Sequence, residues 1–120
     1  MIQLIRMPDP AEQLRAQIRT LQAQRRSLES KLMQPQSMLR ASLLERFLRA
    51  GGAARTAPAY YLSRSEQGRS KLTYIKKEDL AVVRQHCAAY RAFQQNLQQW
   101  QRVTAALQQR WKQLQQAQSR

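Results

Sequence analysis

Apolar residues recur along the first part of the chain at alternating steps of four and three: Leu14, Ile18 and Leu21, then Leu28 and Leu32, with Arg25 at the position between them. That spacing keeps one face of a helix apolar and is the heptad signature of a coiled coil. Asp9 followed by Pro10 supplies an N-cap and a first-turn proline for this helix. Arg25 interrupts the seam, and a charged residue there sets register or faces a partner. Pro35 in "MQPQS" ends the pattern. Ser37 is then placed to cap a second helix carrying Met38, Leu39, Leu43, Leu44, Phe47 and Leu48, with Gly51 and Gly52 as its C-terminal stop.

The period changes beyond the glycines. "AYYLSR" and "RSKLTYI" are rich in β-favouring residues, and Gly68 lies in the polar stretch between them. The pattern predicts a β-hairpin with a turn of about 4–5 residues. Tyr60 and Leu62 share one face of the first strand, and Leu72 and Tyr74 one face of the return strand. A lone two-stranded hairpin is marginal in water, so it must pack on a helix or take a third strand from another chain.

"KKEDL" opens the last helix, with Glu78 and Asp79 where the helix dipole favours acid. Neither proline nor glycine follows, so the helix runs for roughly 40 residues or more, about 60 Å at ~1.5 Å per residue. Its apolar seam reads Leu80, Val83, Cys87 and Tyr90, then Phe93, Leu97, Trp100, Thr104, Leu107, Trp111 and Leu114. The register slips between Tyr90 and Phe93. The first half is expected to pack on the hairpin and second helix, the second half in a coiled coil with the N-terminal helix or another subunit. The fold class is therefore mostly α, within α+β: helix, helix, β-hairpin, long helix, with coiled-coil ends. The expected divisions are a coiled-coil helix over 1–34, a helix–hairpin–helix core over 35–97 and a Gln-rich helical extension over 98–120.

Charge changes the picture from fold to partner. The 120 residues carry 21 basic and 7 acidic side chains, a net charge of +14, spread over both halves rather than held in a tail. Such a chain repels itself and is relieved by a polyanion, or by an acidic protein. Six of the basic residues, Arg55, Arg64, Arg69, Lys71, Lys76 and Lys77, fall in and around the hairpin. Arg64, Arg69 and Lys71 cluster at its tip, where they cannot all be buried. They are the candidate phosphate contacts, and because a two-stranded ribbon fits the major groove, DNA is favoured over RNA. From Gln94 onward 11 of 27 residues are glutamine, which keeps a long helix polar outside without adding acid.

Catalytic chemistry is not expected. His86 and Cys87 are adjacent and so point about 100° apart on a helix, and Cys87 lies on the apolar seam as a small core residue. Glu78 and Asp79 read as helix-start residues. No nucleophile motif or phosphate-cradling loop is present. One Cys and one His do not make a closed zinc site, and no cofactor or metal is expected. "MIQLIRMPDP" is too short and too quickly broken by proline for a secretory signal, and no apolar run is long enough to span a bilayer, so a cytoplasmic location without membrane contact is the expectation.

The aromatic residues divide. Tyr60, Tyr61 and Tyr74 are candidates for a base-stacking platform, but one face of a small hairpin must be core, so half of these rings or more are expected to be buried against the last helix. Trp100 and Trp111 sit at seam spacing. With Leu97, Leu107 and Leu114 they form a stripe too long for the N-terminal helix alone to cover, which predicts self-association.

The segment "LRASLLERFLRAGGAARTAPAYYLSRSEQGRSKLTYIKKEDLAVVRQHCAAYRAF" resembles a family of small prokaryotic proteins of unknown function with a mobile-element association. Ala41-Ser42-Leu43 and Glu45-Arg46 match its SLxER helix, Pro58 to Leu62 its GPYYYL strand, Gly68 its turn glycine, Tyr74-Ile75 its return strand and Tyr90-Arg91 its final helix. The resemblance covers about residues 39–97. It implies a helix–hairpin–helix core and an accessory role at a mobile-element or defence-type locus. The family's cysteines between helix and hairpin are replaced here by Ala50, Ala53 and Ala54, so ligands for a metal are absent from that segment. The resulting expectation is a non-enzymatic nucleic-acid-binding accessory protein that self-associates. The alternative is a coiled-coil subunit docking on a larger, acidic protein.

Overall fold

The computed structural model describes residues 9–47, 49–50, 53–54 and 58–119. The chain is mostly helical with a small antiparallel sheet, an α+β fold as expected. It divides into two units: Met1–Gln34 with Gln94–Arg120, and Pro35–Phe93.

In the first unit, helix α1 spans Pro10–Leu32. The Asp9 carboxylate accepts a hydrogen bond from the Ala11 backbone N–H at 3.1 Å, and Pro10 occupies the first turn, where a missing donor costs nothing. At the other end the Met33 N–H donates to the Glu29 carbonyl at 2.9 Å and the Gln34 N–H to the Lys31 carbonyl at 3.4 Å, before Pro35 forbids continuation. The partner is the later part of helix α2, Leu80–Gln118, whose 39 residues make about 58 Å of unbroken helix. Ala11, Ile18, Leu107 and Leu114 form the buried core, flanked by Leu14, Leu21, Val103 and Ala117. Trp100 meets Glu29 while Leu114 packs in the cluster with Ala11, so the helices run antiparallel within one chain. Arg25 does not leave a gap in the seam. Its guanidinium lies 5.0 Å from the Trp100 ring centre, and the Glu29 carboxylate accepts from both Arg25 Nε at 3.1 Å and Trp100 Nε1 at 3.0 Å.

In the second unit, the expected second helix does not form. Ser42–Arg46 is instead strand β1, and Met38 and Leu39 precede it without regular secondary structure. Its residues are good helix formers, but pairing decides otherwise. β1 is antiparallel to β4 (Ala59–Glu66), and β4 to β5 (Arg69–Ile75), giving the order β1-β4-β5. β4 is thus a central strand with both edges satisfied, and the third strand comes from the same chain. Arg49–Ala50 (β2) and Ala53–Ala54 (β3) form a separate short ladder. Leu48, Gly51, Gly52 and Arg55 lie outside the described residues.

The hairpin turn is two residues, Gln67 and Gly68, rather than 4–5. Both have positive φ, +51° and +78°, as a type I′ turn requires. After β5 a single 3-10 turn, Lys77–Asp79, leads into α2. The early part of α2 packs on the sheet through Cys87, which is buried, and the Leu39 N–H donates to the His86 carbonyl at 3.1 Å. The slip in the seam falls just before the point where the two units divide, at Phe93 and Gln94.

Two consequences are measurable. A Cβ placed on Gly68 would meet open space, so only the backbone angle opposes substitution there. Gly68→Val should cost about 1–3 kcal/mol, whereas Gln67→Asn, which tolerates positive φ better, should be neutral or stabilising by a few tenths. Thermal unfolding of both variants checks this. Leu107→Ala, in the helical core, should lower stability by about 2–5 kcal/mol, and Leu97→Ala, at a 36% exposed position, by under about 1 kcal/mol, read by urea denaturation.

Candidate nucleic-acid interface

Strand register assigns every side chain of the sheet to one of two faces. Directly opposed residues share a face, and the face alternates along each strand. Leu43 opposes Leu62 and Glu45 opposes Tyr60, while Tyr60 opposes Ile75, Arg64 opposes Lys71 and Glu66 opposes Arg69. These form the face turned to α2. Leu44 opposes Tyr61, which opposes Tyr74, and Ser42 opposes Ser63, which opposes Leu72. These form the other face.

On the helix side the Arg84 guanidinium stands 5.1 Å from the Tyr60 ring centre, within cation–π range. Leu43, Glu45, Tyr60, Arg84, Cys87 and Arg91 line a recess of about 390 Å³. The Cys87 thiol is only 2% exposed and belongs to the core, as its seam position implied. Among the described residues no group of three metal-ligating side chains converges.

Beyond the reach of the helix, the same face carries Arg64, Arg69 and Lys71 at the hairpin tip. All three are exposed, and among the described residues no ion pair neutralises them; Glu66 stands across from Arg69 without bridging to it. Arg64 directly opposite Lys71 is a like-charge pair, which works against the sheet. Stability of the fold does not account for it. Lys76 and Lys77 are also exposed but lie past the far end of β5, about 17 Å along the strand from Lys71 at ~3.3 Å per residue. The six expected contacts therefore separate into a tip group, a base group and Arg55, which is outside the described residues.

The other face differs from expectation. Tyr60 alone points to the helix. Tyr61 and Tyr74 meet edge to face on the open side, with ring centres 5.8 Å apart and planes at 69°, and Tyr74 is 57% exposed. The tyrosines do not form one buried anchor, because the two-residue turn pairs Tyr74 with Tyr61 and not with Tyr60. Arg46 reaches the Tyr61 ring at 5.9 Å. Sequence reading missed Arg46 and Arg84 as ring partners. Arg46 was hidden by the helical reading of "SLLER", and its place opposite Ala59 follows only from the strand pairing.

The residues marked for self-association also separate. Leu107 and Leu114 are buried against α1, and Trp100 is engaged by Arg25 and Glu29. Leu97 and Trp111 stay exposed at 36% and 51%. Among the described residues no helix is long and apolar enough to cross a membrane.

No curated protein and no solved structure matches the chain. A family model does, over residues 12–85, which takes in most of α1, the whole sheet and the opening of α2. With more than half of its length matched, the chain belongs to the DUF6788 family, a domain of unknown function.

Proposed function

We propose that the chain is a non-enzymatic nucleic-acid-binding protein that contacts phosphates through the tip of the β4–β5 hairpin. The observation that carries this reading is the placement of Arg64, Arg69 and Lys71 on one face of an exposed tip, without ion-pair partners among the described residues and with two of them directly opposed. A polyanion relieves that repulsion, and the net charge of +14 draws one in from a distance. DNA fits the ribbon shape of the tip better than the deep groove of duplex RNA. Lys76 and Lys77, at the base of the hairpin, lie outside this tip contact. An accessory role at a mobile-element or defence-type locus completes the proposal and rests on the sequence resemblance alone.

The test is the triple substitution Arg64→Ala, Arg69→Ala, Lys71→Ala. Binding to duplex DNA is measured at several salt concentrations, with circular dichroism as the control for folding. Loss of three phosphate contacts lowers the magnitude of the log K against log[salt] slope by about 0.9 per contact, near 3 in all. An unchanged slope in a folded variant rejects the tip as the contact.

A second reading, a structural subunit that docks on a larger protein or a second copy, is favoured by Leu97 and Trp111, which remain open along α2 while Leu107 between them is buried. It predicts a dimer in light scattering at micromolar concentration, reduced to monomer by Trp111→Arg. A 14.0 kDa monomer in both samples removes the second-copy form of this reading and leaves docking on a larger protein.

A further inference from the structure

The sheet face turned away from α2 is not explained by contact between the hairpin tip and a duplex backbone. It carries one cross-strand row of large side chains, Leu44, Tyr61 and Tyr74, with Leu72 beside Tyr74. Leu72 and Tyr74 are 43% and 57% exposed, a poor arrangement for a surface meant only to meet water. Charge on this face is one-sided. The two carboxylates of the three-stranded sheet, Glu45 and Glu66, both fall on the helix side by register, whereas the open side holds Arg46 and the hydroxyls of Ser42, Ser63, Ser65 and Ser70.

We propose that this open face binds single-stranded nucleic acid, stacking unpaired bases on Tyr74 and Tyr61 while Arg46 meets the backbone. The inference rests on the nucleic-acid reading above and names the form of ligand and the groups that hold it. Charge complementarity selects the occupant. An apolar, acid-free face with an arginine at its β1 edge suits a strand that offers aromatic rings and phosphates together. A duplex hides its bases from such a face. Strands in a sheet lie about 4.8 Å apart, so the row from Leu44 to Tyr74 spans roughly 10 Å, room for one or two bases. Arg69 and Lys71 lie on the same edge strand as Tyr74 but point to the other face, so within the sheet Arg46 is the cation of this one.

The experiment compares three probes of equal phosphate number against the full chain: a thymidine oligomer, an abasic oligomer and a duplex. The thymidine oligomer is expected to bind about 5- to 100-fold more tightly than the abasic one. Tyr74→Ala should remove most of that difference, Tyr74→Phe should keep it, and neither should alter duplex binding. Equal affinity for the thymidine and abasic oligomers, with duplex still bound, overturns the stacking face and leaves the phosphate reading in place. No binding to any probe at low salt overturns both. Tyr74→Ala that changes the sedimentation of the protein but not the thymidine-to-abasic ratio assigns the face to a second copy and overturns the proposal.

Discussion

The register of the β4–β5 hairpin is the constraint on which the rest of the second unit depends. A side chain in a strand points to one face or the other with a period of two, so a slip of one residue would exchange the faces completely. Gln67 and Gly68 prevent that slip by closing the strands over two residues with positive φ. Together with the β1–β4 pairing, this choice turns Tyr60 toward Arg84, leaves Tyr61 and Tyr74 open, places both sheet carboxylates on the helix side and assembles three cations at the tip.

The first unit is held in register differently. Its apolar cluster is small, built on Ala11, Ile18, Leu107 and Leu114. The group of Arg25, Glu29 and Trp100 supplies direction. A polar contact on a helical seam contributes little stability when its charged groups are this exposed, but it favours the alignment that brings its partners together. The arginine that interrupts the heptad is therefore explained by the tryptophan on the opposing helix, and the two seams close on each other instead of leaving both stripes to other chains.

Much of the secondary structure was legible before packing was considered. The start of α1 at Asp9-Pro10, its end before Pro35, the two long strands around Gly68 and the unbroken last helix all follow from local chemistry. The seam slip between Tyr90 and Phe93 lies just before the point where the units divide. What failed was nonlocal. "SLLER" contains no β-branched residue and its leucines suit a helix, but β4 needs a partner on its second edge, and tertiary pairing overrides propensity. The candidate site was legible as a set of charges and less so as a surface. Which tyrosine faces the helix depends on turn length, and Gln67-Gly68 is a weaker turn signal than Asn-Gly would be. The split of Leu107 and Leu114 from Leu97 and Trp111 required the antiparallel partner to be in place.

The distribution of rare side chains between the two units has a practical side. Both tryptophans, Trp100 and Trp111, belong to the helical unit, while all four tyrosines and the lone thiol of Cys87 belong to the sheet unit. Indole fluorescence thus reports on the helical pair alone. The rate at which a thiol reagent reaches Cys87 reports on opening between sheet and helix. The molecule comes with separate optical and chemical gauges for its two halves, so their unfolding can be followed independently without introducing a label.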